Sequence, residues 1–237
     1  MKNYLLIVFI ILLLIPKSTF AQQARDSILF SDALQKHLNS FKKESQSAYN
    51  NKDFVRGRYI FDSLVKHHLV NTFFDDFKVK KVNGRLINLN SYYKKPIVLM
   101  TNTLWCYKSN EEIAAINELV KVYHKEIDFV ALYWSDKKSV RSDSKKYSSL
   151  VHITYINDKM NLFSKELKHL KHAFGFPTYF FVDKDKKVSN IIKLRPLSPI
   201  QKEKGRLKIN EDDFNSYKSS LNILINKTID SEFLAIE

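Results

Sequence analysis

The stretch KPIVLMTNTLWCYKSNEE, residues 95–112, decides how this chain is read. Pro96-Ile97-Val98-Leu99-Met100 is a continuous apolar run, the pattern of a strand covered on both faces. After a short turn, Ile113, Ala114, Ile116, Leu119, Val120 and Val122 recur at helical spacing and predict the buried stripe of a helix. Ser109-Asn110-Glu111-Glu112 reads as a capping box, in which Ser109 and Glu112 satisfy free N–H groups at a helix start. Between strand and helix stands Cys106, the single cysteine among 237 residues.

Trp105-Cys106-Tyr107-Lys108-Ser109 has the spacing of a Cys-x-x-Cys pair with serine in the second place. With one cysteine the chain makes no intramolecular disulfide, and a dithiol cycle inside one chain is excluded by residue count. Ser109 can donate a hydrogen bond to a Cys106 thiolate but cannot attack a disulfide. Lys108 either lowers the Cys106 pKa by charge proximity or points into water. Four uses of Cys106 stay open: a monothiol served by an external thiol, a trap that holds a partner as a mixed disulfide, an interchain disulfide, or an inert small hydrophobe.

Outward from this stretch, strands and helices alternate. Ile127–Trp134 and Val151–Ile156 read as strands, with a short helix between them. Leu162–Ala173 reads as a helix. Thr178–Val182 and Val188–Leu194 form two strands joined by the polar turn 183–187. Phe214–Ile225 closes the pattern as a helix, with Tyr217, Leu221, Ile223 and Leu224 apolar. On the N-terminal side, Phe77–Lys81 and Leu86–Leu89 flank Asn83-Gly84, a hairpin signal because Gly84 tolerates positive φ. Before it, Ile28, Leu29, Ala33, Leu34 and Leu38 share one helical face. Phe54, Tyr59, Ile60, Leu64, Val65 and Leu69 share another. Two such helices bury little alone and are expected to pack on the rest. The order is that of an α/β fold with a mixed central sheet flanked by helices.

The first residues carry an address. Lys2 is followed by the apolar run Tyr4–Ile15, then by Pro16 and the small residues up to Ala21, the pattern of a secretory signal peptide. A dozen apolar residues fall short of the ~20 that span a bilayer. The expected organisation is a cleaved signal peptide at 1–21, a helical extension at 22–72, and an α/β domain at 73–237, in an exported, periplasmic protein.

The formal charge of +14 is spread over scattered lysines with no Arg-rich run, so no nucleic-acid partner is expected and membrane association is peripheral at most. The histidines at 67, 68, 152, 169 and 172 match no metal-ligand spacing and have no carboxylate partner in the pattern. Asp183-Lys184-Asp185 lacks the glycine and distal glutamate of a calcium loop. Neither metal nor cofactor is expected. His172, a few residues before Pro177, is the histidine placed to approach Cys106.

Lys95-Pro96 opening a strand, Trp105-Cys106 before a helix, Asn117-Glu118-Leu119 within it, and Gly175-Phe176-Pro177-Thr178 before a strand ending in Asp183 together resemble the thioredoxin-like fold. More narrowly, residues 75–225 resemble the exported TlpA/ResA-type thiol-disulfide oxidoreductases, an AhpC/TSA-related group, with the motif degenerate to Cys-x-x-Ser. The resemblance implies Cys106 as nucleophile, with Trp105 shielding it and Ser109 in the resolving position. It also implies that Phe176, Pro177 and Thr178 hold a substrate peptide beside a cis-proline. Partners would be protein or low-molecular-weight thiols and disulfides of the cell envelope. Two other readings stand beside this one. The first is a non-catalytic peptide-binding module that keeps the groove. The second is a one-cysteine peroxidase, since Thr103-Leu104-Trp105-Cys106 fits the Thr-x-x-Cys of peroxiredoxins, with Leu99 where that family has proline.

Overall fold

The computed structural model describes residues 28–105, 110–157, 165–193 and 211–233. Its centre is β3 (Ile97–Asn102), whose six residues are all buried. β3 runs parallel to β4 (Asp128–Trp134) and antiparallel to β6 (Thr178–Val182). β5 (His152–Ile156) adds in parallel beyond β4. The hairpin β1 (Lys78–Lys81) and β2 (Leu86–Asn88) extends that side, and β7 (Val188–Ile192) closes the other. The described sheet has the order β2-β1-β5-β4-β3-β6-β7. The parallel β3–β4 unit beside an antiparallel β6–β7 hairpin is the thioredoxin-like arrangement. Gly84 takes φ of 95° at the β1–β2 turn, as its place in an Asn-Gly pair requires.

Strand alternation sends β3 side chains into two separate cores. Ile97 and Leu99 pack with Phe180, Val182 and the N-terminal helices. Val98 and Met100 pack with α4 (Asn110–Tyr123) and α7 (Glu211–Phe233). The remaining helices are α1 (Phe30–Asn50), α2 (Phe54–Leu64), the short α3 (Leu89–Tyr92), α5 (Lys137–Asp143) and α6 (Lys165–His172). α2 runs on into a π-helical turn at Val65–Leu69.

α1 and α2 help cover one face of the sheet. Phe30, Leu34, Phe61, Leu64 and Leu69 are buried in one cluster with β3 and β6 side chains. The Phe30 ring lies 5.7 Å from that of Phe74 and 5.7 Å from that of Phe180. Leu29 supplies no side-chain cap to α1. Asp75 does so from 44 residues away, accepting from Ser31 N at 2.8 Å and Ser31 Oγ at 2.7 Å. The linker after the π turn is stitched to β7 by Asn71 N donating to Val188 O and Val188 N donating to Thr72 O, both at 2.8 Å.

Several sequence expectations are corrected. Ile28 and Leu29 precede α1 and are exposed, and Phe54 and Tyr59 are exposed on α2 rather than part of its buried face. Ala114 and Val122 are exposed rather than part of the α4 stripe, and Ile223 is exposed on α7. At about 100° per residue, Ala114 and Val122 fall about 130–150° from the centre of the buried face set by Ile113, Ile116, Leu119 and Val120. Ile223 falls about 125° from the Tyr217, Leu221 and Leu224 face by the same geometry. The expected signal peptide, the start of the 162–173 helix and the end of the 188–194 strand lie outside the described residues. No helix among the described residues is long and apolar enough to cross a membrane.

If α1 belongs to the core, Phe30→Ala costs about 3–5 kcal/mol, with helix and sheet signals melting together in urea. A loss under about 1 kcal/mol would show α1 to be a detachable appendage.

Candidate functional site

The C-terminal end of β3 meets the N-terminal end of β6, and the two are joined by a side chain. Thr101 Oγ1 donates to Thr178 O at 3.0 Å and accepts from Thr178 N at 3.2 Å. Both threonines are fully buried. Just before Thr178, the Phe176-Pro177 peptide bond is cis and Gly175 has φ of 74°. Thr178 Oγ1 donates to Gly175 O at 2.9 Å, closing that turn on itself. Pro177 has no N–H to offer β3, so the ladder ends at Thr178 and Phe176 stands outside it.

Trp105 follows on the β3 side and is 78% exposed, beside the exposed Leu104. Its ring meets the Phe176 ring edge-on, centroids 6.0 Å apart at 78°. Phe176 is backed in turn by Trp134 at 5.2 Å. The fold thus brings together four residues that the sequence singled out: Trp105, Phe176, Pro177 and Thr178. Thr178 is buried and serves the turn, so the open surface belongs to Trp105, Leu104 and the half-buried Phe176. Cys106 and Ser109, with Tyr107 and Lys108, lie outside the described residues, as does the His172 side chain.

α4 begins at Asn110. In its first turn Glu112 Oε1 accepts from the Tyr179 hydroxyl at 2.7 Å. That bond ties the start of α4 to the residue two past the cis-proline. Tyr179 heads a buried tyrosine group in which Tyr217 lies 5.3 Å away, and Tyr133 donates to Asp143 Oδ2 at 2.9 Å. Burial pushes the Tyr179, Tyr217 and Tyr133 hydroxyls well above their usual pKa, with the Glu112 carboxylate adding to the shift of Tyr179.

Sequence reading missed Thr101, Glu112–Tyr179 and Asn102. Among the described residues, neither amide atom of the buried Asn102 has a hydrogen-bond partner, and the Thr103 hydroxyl and Trp134 Nε1 likewise have none. These polar groups at the ends of β3 and β4, without partners among the described residues, mark a polar interior behind Trp105 and Phe176. A threonine and an asparagine at the end of an apolar run were the available signal. The histidine reading needs correction at one position. His152 Nε2 lies 3.4 Å from Asp128 Oδ1, because parallel pairing sets β5 against β4. Among the described residues no group of three or more His, Cys, Asp or Glu is placed to hold a metal.

A profile of the AhpC/TSA family matches residues 70–191, from the linker before the hairpin into β7. The chain belongs to the AhpC/TSA family. No curated protein matches the sequence. Among solved structures, a hypothetical protein from Sinorhizobium meliloti 1021 is 14% identical with a TM-score of 0.50, over 67% of this chain and 87% of that one. A thiol:disulfide interchange protein from Bacteroides sp. is 13% identical (TM-score 0.44), over 53% of this chain and 82% of that one. A thiol-disulfide oxidoreductase from Bacteroides fragilis NCTC 9343 is 17% identical (TM-score 0.42), over 49% and 87%. Identities this low speak to the fold alone.

The tyrosine group predicts how this AhpC/TSA domain responds to alkali. A buried tyrosine stays protonated where the unfolded chain ionises near pH 10. Its contribution is therefore intact below pH 10 and is lost as pH rises above it, at about 1.4 kcal/mol per pH unit for each such tyrosine. Far-UV dichroism and tyrosinate absorbance at 295 nm, followed from pH 9 to 12, should change together. Tyrosines that all titrate near pH 10 while the dichroism holds would contradict the burial.

Proposed function

We propose that the protein is an exported thioredoxin-like monothiol that exchanges disulfides through Cys106, with an external thiol completing the cycle. The observation that carries the reading is the Trp105–Phe176 contact beside cis-Pro177. Cys106, the single cysteine, is the next residue in the sequence after Trp105, which supports assigning the thiol chemistry to this aromatic surface. Membership in the AhpC/TSA family supports thiol chemistry at that place.

The exchange balances without a second cysteine. The Cys106 thiolate attacks one sulfur of a partner disulfide, forming a mixed disulfide and releasing the partner's other sulfur as thiolate. An external thiolate then attacks the partner sulfur of that mixed disulfide and releases Cys106. Net oxidation state is unchanged over the cycle: one disulfide is traded for another. Phe176 and Thr178 flank the cis-proline that would lie beside the bound peptide, Trp105 would cover the sulfur, and Ser109 would donate a hydrogen bond to the thiolate. No cofactor is required.

Alkylation of native protein across pH measures the thiol directly. A Cys106 thiolate titrating well below about 8.5, with partners from an envelope extract trapped as mixed disulfides by the wild type and absent from Cys106→Ser, is the expected result. A sulfur that does not react in the native state, or identical captures by both proteins, would leave a non-catalytic binding module. Consumption of the thiol by hydrogen peroxide but not by disulfides would favour the peroxidase.

Export rests on Lys2, the Tyr4–Ile15 run and the small residues up to Ala21. N-terminal sequencing of protein recovered from the cell envelope should begin at Gln22; an intact Met1 would count against cleavage.

A further inference from the structure

A cavity of about 620 Å³ lies between α1, α2, β7 and α7, away from the thiol surface. That is within the ~300–1,000 Å³ range of small-molecule sites. Phe41, Phe54, Phe61 and Ile191 give it an apolar wall. Phe54 is 71% exposed on the first turn of α2, and Phe61, two turns further along the same face, is buried. The charged lining is uneven. Arg58 Nε pairs with Asp62 Oδ2 at 3.4 Å, while Lys66 and Lys193 line the same cavity with no carboxylate partner among the described residues. The Lys193 side chain stays open to solvent, and the protein packed around it lowers its pKa. An apolar wall with two unneutralised cations is complementary to a molecule with an apolar body and an anionic head.

Two observations narrow the occupant. The β7 edge beside the cavity does not invite an added strand. Ile191 N donates to Asn190 Oδ1 at 2.8 Å, and Asn190 Nδ2 donates to Ser220 Oγ of α7 at 2.8 Å. The chain's own neighbouring sequence has the wrong charge, since between Lys193 and Glu211 it carries Arg195, Lys202, Lys204, Arg206 and Lys208 against Glu203 alone.

We propose that this cavity binds a free single-chain amphipathic carboxylate, its apolar body against Phe41, Phe54 and Phe61 and its carboxylate held by Lys66 and Lys193. The site stands independently of Cys106. It nevertheless touches the thiol surface at one point: a Cβ on Gly175 would lie 4.0 Å from Lys193 Nζ, so the head group would bind against the turn that leads into cis-Pro177.

Calorimetric titration of the full chain with decanoate tests this. Saturable one-to-one binding is expected, with decanol and acetate each at least about tenfold weaker. Lys66→Gln and Lys193→Gln should each weaken decanoate by about five- to tenfold, while Lys125→Gln, at the far end of α4, leaves it unchanged; dichroism shows that each variant is folded. Decanol binding as well as decanoate, lysine variants indistinguishable from wild type, absence of saturation, or binding to phosphatidylglycerol vesicles without binding to free decanoate would each overturn the proposal.

Discussion

The reciprocal pair of hydrogen bonds between Thr101 and Thr178 is the constraint on which the rest of the candidate site depends. A proline at 177 cannot donate to a neighbouring strand, so β6 must stop pairing with β3 at Thr178. The Thr101 hydroxyl then supplies both an acceptor and a donor to the backbone of Thr178. Both groups lie in a fully buried place, where an unmade hydrogen bond costs about 1–3 kcal/mol. Pinned there, the two strands release their chains at the same level of the sheet. Trp105 leaves one and Phe176 enters the other, and their rings meet. The Tyr179–Glu112 bond fixes the third partner, the start of α4, to the same strand end.

That strand end is held still because β3 is packed on both faces. The face covered by α1 and α2 is as apolar and as fully buried as the face covered by α4 and α7. The N-terminal helices therefore act on the site through the sheet, with Phe30 against Phe180 and Phe180 across from Leu99. The Asp75 carboxylate that caps α1 comes from the linker that pairs with β7, so helix, linker and sheet edge are secured by neighbouring residues. The matched family region begins at residue 70, after both helices, yet these helices share one side of its core with Phe74, Leu170 and Phe174.

Much of this was legible in the sequence because it is set by local pattern. Apolar runs marked β3, β4 and β6, Asn83-Gly84 marked the hairpin, and the stripes of α1 and α2 marked helices that need a sheet to cover. What escaped depends on contacts between distant positions. Thr101 and Glu112 were read for their places in a strand and a cap, and their partners at 178 and 179 come from strand pairing some seventy residues later. His152 gained the Asp128 carboxylate in the same way. Ala114, Val122 and Ile223 were assigned inward because apolar residues near a stripe look like part of it, while the angle around the helix turns them out. The cavity joins residues from 41 to 216, and no window of sequence contains it.

A chain with one cysteine places its specificity outside the sulfur. In a two-cysteine cycle the resolving thiol releases the partner, whichever partner it is. On the proposed reading release waits on an external thiol, and the lifetime of a mixed disulfide would be governed by how well the partner fits the surface around it. That surface is aromatic and open, made by Leu104 and Trp105 just after β3 and Phe176 just before β6, with Trp134 behind. On that reading, an exposed tryptophan beside a half-buried phenylalanine would favour partners that offer apolar or aromatic side chains next to their disulfide. On the proposed reading, the absent second cysteine and the retained aromatic pair are therefore one design: a surface that holds a partner and leaves its release to another molecule.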